Sequence, residues 1–410
     1  MKSYAYRPAR KRRSRPRAAW GAAIFSVITV YVTTLLLWPL PAVEATLTPL
    51  PPITTEAKPL AWPGQGSAAI GSTRDGVLTT QTNPETAVSM ASITKVITAL
   101  TVLDAKPLAA GESGPVITLS AADATRYNEY VAMNGSVARA SEGQQITQRQ
   151  IIEAMLIASA NNYADTLALW AYSTPEAYLA AANDFLQKHG LSDTTIMDMT
   201  GFSPENKSTP SDLIKLGALA LKHPVISEIV SQKNVTIPDV GTLQNTNILL
   251  GTNGINGIKT GTTDEAGSCL LFSAEHNVGG ETITLIGVIL GAPNHPTLFN
   301  QVQSLLASAQ ANFQQVTTLE ANQKVGKYTT SWGASAEAVA KNSQTHTAWA
   351  ETKISRQVAL KDVIPSKTID SAGAITTKLG DQTYTTEVRL TKPLTGPSWH
   401  WRLTHPLEIF

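Results

Sequence analysis

The sequence predicts an α+β protein in which an antiparallel sheet is flanked by helices. Near residue 67, SAAIGSTRDGVLTTQT is typical of a β-hairpin that turns at Arg74-Asp75-Gly76. Helical segments follow, and then come two strand-like runs, GSCLLFSAE and ITLIGVILG, and a closing helix, HPTLFNQVQSLLASAQANF. Because strands stand at both ends of a series of helices, we expect the helices to pack around one antiparallel sheet.

The helices between the strands carry recognisable start and stop signals. TQRQIIEAMLIASANNYADTLALWA begins with a capping box at Thr147, and its apolar spacing is interrupted around SANN. The next helix has Thr174 as N-cap, a proline in its first turn and Gly190 past its end. A third helix runs from Thr209 to a stop at Pro224. These elements belong to a main domain that we place at residues 65–318.

Beyond about residue 320 the sequence changes to short β segments. AITTKL and QTYTTEVRLT flank the turn Gly380-Asp381 and alternate apolar with polar residues, which predicts a hairpin. We therefore expect a separate, small β-rich domain at residues 319–410. Its carboxyl end, PSWHWRLTHPLEIF, does not have the pattern of a long amphipathic membrane helix.

The amino terminus combines a basic run with an apolar one. Residues 1–17 carry eight Lys or Arg and no acid, and residues 18–43 carry no charge. About 20 apolar residues span a bilayer, and a basic flank on the cytoplasmic side orients the span. The sequence therefore predicts a basic cytoplasmic tail at 1–17 and a single transmembrane anchor at 18–43, with the catalytic body outside the cytoplasm. The alternatives are a cleaved signal peptide ending near Ala45 and, for the basic run alone, a nucleic-acid tract.

A proline-rich segment separates this anchor from the main domain. Residues 41–64 contain six prolines and few residues that could pack. We interpret residues 44–64 as an extended linker, and at about 3.1 Å per residue the whole proline-rich stretch 41–64 would reach roughly 75 Å.

Composition excludes several classes of function. The chain has 410 residues and a formal net charge of +1, and without the first 17 residues it is mildly acidic, so no nucleic-acid partner is expected. The single cysteine, Cys269, rules out a disulfide framework or a cysteine metal cluster. The seven histidines lack the spacing of metal ligands. We expect neither a metal nor another cofactor.

The helical stretch MASITKVITALTVL contains one lysine in an apolar surround. On a helical wheel Lys95 lies away from the threonine stripe, beside Ala99 and Val102, and one turn after Ser92. One interpretation is a lysine that extends its ammonium to water from a helix end. The other is a nucleophile, Ser92, whose base is Lys95. A base would need its pKa lowered from about 10.4 to about 7, or roughly 4.6 kcal/mol, by burial or a second cation.

Two downstream motifs favour the second interpretation. Ser92-Ile-Thr-Lys95 is followed by Ser159-Ala-Asn161 and then by Lys259-Thr260-Gly261. By chance, the first spacing is expected about once and the last tripeptide about a tenth of a time in a chain of this length. Alone, SAN would be an ordinary helix interruption, but three motifs in this order are far more specific than one.

The triplet is the signature of penicillin-binding proteins and class A β-lactamases. GINGIKTGTTDEAGSCLLFSA resembles the third-motif region of the serine-type D-alanyl-D-alanine carboxypeptidases, the low-molecular-mass penicillin-binding proteins of peptidase family S11. NTNILLGTNGINGIKTG and VILGAPN are similar to the same family. The resemblance covers about residues 65–315 and implies the β-lactamase/transpeptidase-like fold, and such enzymes often carry a carboxyl-terminal β domain.

The resemblance also implies an activity. It is the removal of the terminal D-alanine from peptidoglycan stem peptides ending in D-Ala-D-Ala, with β-lactams as inhibitors that acylate Ser92. Lys95 would be the base, Ser159 a proton shuttle to the leaving amine, and Asn161 a hydrogen-bonding partner of substrate and lysine.

The third motif resembles an edge strand that binds the substrate. Lys259 and Thr260 would contact its terminal carboxylate, and Gly261 would let the peptide lie close, since an extended peptide pairs with a strand edge through its backbone. We expect the oxyanion hole to be the backbone N–H groups of Ser92 and Thr262.

Two departures from the family pattern bear on the alternatives. Many members carry an arginine for the substrate carboxylate near the start of the last helix, where this chain has Leu298. A class A β-lactamase needs a glutamate to activate the deacylating water. Glu205 is the loop candidate, and its surroundings do not resemble that motif. A β-lactamase and a non-catalytic penicillin-sensing or wall-binding module stand as the alternative functions.

Overall fold

A computed structural model describes residues 16–366, 368 and 371–409, which fold into two compact units. The larger unit consists of residues 55–316 and 347–352. The smaller unit contains the described residues up to Thr54, residues 317–346 and those from Lys353 onward. The sequence placed the boundary two residues later, at 318/319. The predicted basic tail lies in residues 1–17, almost all of which are outside the described part.

The elements follow one another along the chain from the apolar helix to the last helix of the larger unit. In order they are α1 (Pro16–Leu37), β1 (Ala45–Leu47), β2 (Ser67–Ser72), β3 (Gly76–Thr80), β4 (Val88–Ser89), α2 (Thr94–Ala105), β5 (Val116–Thr118), α3 (Ala121–Ala132), β6 (Gln145–Thr147), α4 (Gln148–Ile157), α5 (Asn161–Tyr172), α6 (Pro175–Lys188), β7 (Lys207–Ser208), α7 (Pro210–Lys222), α8 (Pro224–Val230), β8 (Asn234–Ile237), β9 (Gly241–Gln244), β10 (Ile255–Thr263), β11 (Gly267–Val278), β12 (Glu281–Ala292) and α9 (His295–Gln310). The remaining elements are β13 (Phe313–Leu319), β14 (Lys324–Thr329), β15 (Ser335–Ala340), β16 (Gln344–Trp349), β17 (Ile354–Leu360), β18 (Ser371–Leu379), β19 (Gln382–Leu390) and α10 (Trp399–Thr404).

The larger unit is built on an antiparallel sheet of order β10-β11-β12-β2-β3. One face packs on the bundle that contains α2, α4, α5 and α7, and the other face packs on α9. Leu271 and Leu270 of β11 point to opposite faces, as successive strand residues must. The predicted α+β class, with helices around an antiparallel sheet, is confirmed, and β10 is left as an edge strand.

The helix signals in the sequence correspond to helix ends in the structure. The side chain of Thr147 accepts a hydrogen bond from the Gln150 N–H in a reciprocal capping box, and Thr174 and Thr209 cap α6 and α7. The interruption at SANN is a true break: α4 ends at Ile157 and α5 begins at Asn161, with Ser159 between them in the left-handed region (φ 61°).

The smaller unit contains a sheet of order β1-β14-β15-β19-β18-β17. β18 and β19 form the hairpin predicted at Gly380-Asp381, in register from Leu379–Gln382 onward. Its core includes Val325, Tyr328 and Ile375. The carboxyl-terminal β-rich region predicted from the sequence is therefore present.

The proline-rich segment differs from the extended tether that the sequence predicted for residues 44–64. Ala45–Leu47 pairs with β14, and Val43 exchanges two backbone hydrogen bonds with Val363, at 2.9 and 3.1 Å. Val43, Ala45 and Leu50 pack against the core of the smaller unit. Pairing with β14 covers its open edge, which would otherwise expose unpaired N–H and C=O groups. Val43, Ala45 and Leu47 alternate with polar residues as in a strand, but the many prolines of the segment favoured the prediction of an extended linker.

The apolar amino-terminal segment is a continuous helix. Ala19–Leu37 spans 19 residues with a mean hydropathy of 1.9, and 6% of the most apolar stretch is buried. By length and composition it is able to cross a membrane, a test that a signal sequence near the amino terminus also passes.

Candidate active site

Ser92 lies in a tight turn that leads into α2. The turn, Ala91–Ile93, is a 3-10 helix that runs directly into α2 at Thr94. Ala91 adopts a left-handed conformation (φ 47°), and the Thr94 hydroxyl donates to the Ala91 carbonyl at 2.8 Å. The side chain of Ser92 is thereby presented at the amino-terminal end of a buried helix, where the helix dipole favours negative charge.

Lys95 is fully buried directly behind this serine. Its Nζ lies 2.9 Å from Ser92 Oγ, 2.6 Å from Asn161 Oδ1 and 2.6 Å from the Thr200 carbonyl oxygen. The amide and carbonyl oxygens can only accept hydrogen bonds. A neutral amine has two N–H groups and one lone pair, so with both donors used on these oxygens its lone pair is left for the serine hydroxyl. The contacts thus fit a neutral lysine that accepts the proton of Ser92.

Burial sets the protonation of this lysine. Desolvation lowers the pKa of Lys95 to about 7, against the opposing effect of the carboxylates of Asp198 and Asp165. Lys259 is the candidate for a second cation that would lower the pKa of Lys95 further. In the structure, repulsion between the two lysines has a smaller effect than burial. Burial is the main cause that lowers the pKa of Lys259 well below its ordinary value, and the charge of Lys95 is the second. Near neutral pH a share of the Lys95 side chains is therefore neutral and has a free lone pair.

Asp165 lies on α5, one turn beyond Asn161. Tyr130 donates to its carboxylate at 2.9 Å, and burial raises the pKa of Asp165 to about 6. When ionised, this carboxylate favours the protonated form of Lys95. When ionised, Asp165 is therefore a largely buried negative charge that interacts with Lys95.

We expect Asp165→Asn to make the protein react faster with penicillin at slightly acidic pH. The asparagine keeps an acceptor for Tyr130 but removes the charge, so the pKa of Lys95 falls and acylation by penicillin at pH 6 to 7 rises by a factor of about two to three. The two proteins should converge below about pH 5, because Asp165 is then protonated in the wild type. The measurement is the pH profile of the acylation rate, with exposed Asp104→Asn as control; an unchanged profile would contradict the assignment.

A loop that the sequence analysis missed supplies one of the partners of Lys95. Both oxygens of Asp198 accept short hydrogen bonds from the loop that follows it: Oδ1 from the N–H groups of Thr200 and Gly201, and Oδ2 from that of Ser203, each at 2.7 Å. Asn206 adds a bond from its side-chain amide at 3.0 Å. These bonds lower the pKa of Asp198 despite its burial. The result is a fixed loop whose Thr200 carbonyl points at Lys95. The signal was the run DMTGFSPEN, an acidic residue followed by turn-forming residues.

Two glycines allow the backbone to close around Ser92. A Cβ on Gly261 of β10 would lie 2.9 Å from the Met90 carbonyl oxygen and 3.0 Å from the Ser92 nitrogen. On Gly201, whose φ is +80°, it would lie 1.9 Å from the Ala91 carbonyl oxygen. The edge strand and the Asp198 loop therefore both pass close against the serine turn, and neither position has room for a side chain.

The other residues of the third motif lie on the same edge strand. Lys259 is 1% exposed and donates to the Thr260 carbonyl at 2.9 Å. The Thr260 hydroxyl contacts that of Thr246 at 2.5 Å. Thr262 is exposed and, with Ser92 and Asn161, lines an open cleft of about 670 Å³. Ser159 is buried at the break between helices, but the three hydrogen-bonding partners of Lys95 are Ser92, Asn161 and Thr200.

His295 is a further residue at this cleft that the sequence analysis missed. Its Nε2 lies 2.8 Å from Thr262 Oγ1, at the first position of α9. Leu298, where the family pattern suggested an arginine, is instead fully buried in the core against the sheet. The residue of the last helix that reaches the edge strand is therefore His295. Asn294 caps the helix and so fixes where it begins.

The described part of the chain contains no group of three or more His, Cys, Asp or Glu side chains that could hold a metal ion.

Comparison with known proteins identifies relatives of the larger unit. A 220-residue stretch, 52% of this chain, is 31% identical to a D-alanyl-D-alanine endopeptidase of Pseudomonas aeruginosa and covers 67% of it. A 249-residue stretch, 60% of this chain, is 28% identical to the carboxypeptidase DacC of Escherichia coli and covers 61% of it. The chain thus spans between about half and two thirds of the length of the curated relatives it matches. Penicillin-binding protein 5 of Haemophilus influenzae has the same fold (TM-score 0.57, 20% identity, 85% of this chain and 100% of that one).

The family assignment follows from the region that contains the site. The profile of the D-alanyl-D-alanine carboxypeptidases, Peptidase_S11, matches residues 64–294, which is more than half of the chain and includes all three motifs. With Ser92, Lys95 and Asn161 in direct contact beside the edge strand, the chain belongs to the D-alanyl-D-alanine carboxypeptidase family, Peptidase_S11.

Proposed function

We propose that the protein is a serine D-Ala-D-Ala carboxypeptidase that trims peptidoglycan stem peptides through an acyl-enzyme on Ser92. The observation that carries the proposal is the contact of Ser92 Oγ with a fully buried lysine amine at 2.9 Å. A serine hydroxyl is a weak nucleophile until a base takes its proton, and a buried lysine with a pKa near 7 is such a base.

The reaction has two steps that use the same groups. Ser92 Oγ attacks the carbonyl carbon of the penultimate D-alanine while its proton passes to Lys95 Nζ. The negative oxygen of the tetrahedral intermediate accepts hydrogen bonds from the backbone N–H groups of Ser92 and Thr262. The C–N bond then breaks, and the amine of the leaving D-alanine takes a proton that reaches it through Ser159. Water attacks the ester in the second step, loses its proton to the base and releases Ser92.

The edge strand positions the substrate in this scheme. The stem peptide lies extended along β10, where Gly261 allows close approach and backbone hydrogen bonds hold the chain. Asn161 donates its amide N–H groups to the substrate while its oxygen keeps the contact with Lys95. Lys259 and Thr260 lie behind the carboxylate site, and Thr262 and His295 lie at its exposed side.

The proposal includes a location. α1 anchors the chain in the cell membrane as a single span, the basic tail stays in the cytoplasm, and the catalytic unit acts outside it. The length and hydropathy of Ala19–Leu37 support the anchor, and the eight basic residues before it support the orientation.

Three other functions are alternatives to this proposal, and one of them has an observation in its favour. An endopeptidase that cuts cross-links is favoured by the similarity to the enzyme of that name from Pseudomonas aeruginosa. A β-lactamase would need a carboxylate for the deacylating water. Glu205 is a poor candidate for that role because its carboxylate is exposed and paired with Lys207 at 2.9 Å. In a non-catalytic penicillin-sensing module, the buried Lys95 beside Ser92 would have no catalytic role.

One experiment distinguishes these functions. The full-length protein in detergent is incubated with a fluorescent penicillin, with a pentapeptide that ends in D-Ala-D-Ala and with a cross-linked dimer of stem peptides. We expect a stable fluorescent label and D-alanine release, both lost in Ser92→Ala. Rapid penicillin turnover would indicate a β-lactamase, cleavage of the dimer alone an endopeptidase, and label without any peptide product a sensing module. D-alanine release by Ser92→Ala would refute the nucleophile.

The contact of His295 with Thr262 leads to a separate prediction. If His295 supports the carboxylate subsite, His295→Ala should raise KM for the free pentapeptide about tenfold, because the substrate carboxylate would lose a hydrogen bond from the imidazole that is worth about 1.5 kcal/mol. The same substitution should leave KM for the C-terminally amidated pentapeptide unchanged, since this ligand has no carboxylate. His276→Ala, at another strand, is the control. An equal effect on both peptides would indicate a general disturbance of the strand and not a role in carboxylate binding.

A further inference from the structure

The carboxyl-terminal segment of the smaller unit packs on the apolar helix. The Arg402 guanidinium donates to the carbonyl oxygens of Leu35, Leu36 and Trp38 at 3.0, 3.1 and 2.9 Å. The last carbonyls of a helix have no partner within the helix, and a cation there also opposes the negative end of the helix dipole. Arg402 therefore caps the carboxyl end of α1.

A second contact lies deeper along the helix. The Tyr31 hydroxyl donates to the Leu403 carbonyl at 3.2 Å, and Leu35 is 2% exposed although its neighbour Leu37 is 82% exposed. From Tyr31 to Leu37 an α-helix rises about 9 Å. The segment thus covers roughly the last turn and a half of α1 on one side.

Aromatic side chains gather at this end of the helix. Trp332 packs edge-on against Trp401 (5.4 Å between ring centres) and donates from its indole N–H to the Thr395 carbonyl at 2.9 Å, and Trp401 stacks on His405 at 4.8 Å. Of the eight tryptophans in the chain, four lie directly after α1 or in this cluster: Trp38, Trp332, Trp399 and Trp401. Trp399 and Leu407 turn outward, 67% and 91% exposed.

We propose that residues 395–409 together with Trp332 form an aromatic collar that lies in the headgroup region of the bilayer, along one side of the outer end of α1. Tryptophan and tyrosine concentrate at membrane–water interfaces, where an apolar ring and a polar N–H or O–H are both satisfied. The interfacial layer on each side of the hydrocarbon is about 5 to 8 Å thick, so it accounts for most of the roughly 9 Å of α1 that the collar covers.

The position of the collar on α1 indicates that its exposed side chains contact the lipid headgroups. Trp399 and Leu407 are exposed in the isolated chain. The collar packs against α1, which among the described residues is the helix that is long and apolar enough to cross a membrane. A group fixed to the last turn and a half of a membrane span lies at the depth of the headgroups. The collar consequently holds the β-rich unit to the outer leaflet at a second site. The inference rests on the proposed membrane anchor and extends it.

The test measures the depth of single labels in the full-length protein reconstituted in phosphatidylcholine–phosphatidylglycerol bilayers. Cys269, the one cysteine, is replaced by alanine, and nitroxide labels are attached to Val27→Cys in the middle of α1, to Leu407→Cys in the collar and to Asp381→Cys. Asp381 lies at the opposite end of β19 from the collar, about 27 Å away along the strand, and serves as the water-exposed control.

We expect the label at 27 to be accessible to oxygen and shielded from a water-soluble nickel chelate, the label at 381 to show the reverse, and the label at 407 to be clearly more shielded from nickel than that at 381 but less than that at 27. A label at 407 as accessible to nickel as that at 381, with 27 shielded, would overturn the collar and leave the anchor intact. Exposure of 27 as well would overturn both. Shielding of 407 that persists in detergent micelles too small to form a bilayer, but disappears on dilution of the protein, would indicate a contact between copies and overturn the lipid assignment.

Tryptophan fluorescence provides an independent measurement. In bilayers of brominated lipids, Trp399→Phe should reduce the quenched part of the emission, and Trp170→Phe should leave it unchanged, because Trp170 lies on α5 in the larger unit. An equal effect of both substitutions would contradict the collar.

Discussion

Lys95→Met is expected to slow acylation of Ser92 by penicillin by about a thousandfold or more. The substitution removes the base that lies 2.9 Å from the serine oxygen, and general base catalysis by a positioned side chain is worth about 10² to 10⁴. Methionine is close to lysine in volume and leaves no charge in the apolar surround of α2. The measurement is the second-order rate constant of labelling with a fluorescent penicillin at pH 7.5.

Two companion variants separate the base from the charge. Lys95→Arg keeps a cation that does not lose its proton near neutral pH, so we expect it to be as slow as Lys95→Met. Lys207→Met removes an exposed lysine paired with Glu205 and should label at the wild-type rate. Fast labelling of Lys95→Arg would show that Lys95 acts through its positive charge and would refute its role as base.

The stability of Lys95→Met gives a further check. Two oxygens, Asn161 Oδ1 and the Thr200 carbonyl, lose their donor, at a cost of roughly 1 to 3 kcal/mol each. The change also removes the penalty of burying a cation, which is of similar size. We therefore expect a melting temperature within a few degrees of the wild type, so that loss of labelling cannot be attributed to unfolding.

The sequence predicted those parts of the fold that depend on local signals. The hairpin at Arg74-Asp75-Gly76, the capping box at Thr147 and the break at SANN each arise from residues that are close along the chain. The serine and lysine of the first motif were predictable for the same reason, because one helical turn brings them together.

The parts that could not be predicted depend on contacts between distant residues. Thr200 lies 105 positions from Lys95, and no periodicity links the two. His295 meets Thr262 only because a helix begins beside the end of an edge strand. The prediction of an extended linker failed for Ala45–Leu47 because this segment forms a strand only by pairing with the open edge of β14. In each case the missing information was the tertiary fold.

Asp198→Ala is expected to impair both stability and catalysis, although its carboxylate does not touch Ser92. Three backbone N–H groups and the Asn206 amide would lose their acceptor. With each bond to a charged group worth about 1.5 to 3 kcal/mol and some replacement by water, we expect a loss of about 3 kcal/mol and a fall of roughly 6 to 12 °C in melting temperature. The Thr200 carbonyl would no longer be fixed at Lys95, so acylation should slow by about 10- to 100-fold.

The pH dependence distinguishes this role from a general loss of packing. The pKa of Asp198 is lowered in the folded protein, so its stabilisation is fully present above the unfolded value near 3.9 and is lost as the pH falls through the folded value. The difference in unfolding free energy between wild type and Asp198→Asn should therefore be constant from pH 5 to 8 and shrink below pH 4. Exposed Asp193→Asn is the matched control on the same segment. A difference that stays constant down to pH 2 would mean that the asparagine disturbs the loop by its shape, because a protonated Asp198 could not hold three N–H groups as the carboxylate does.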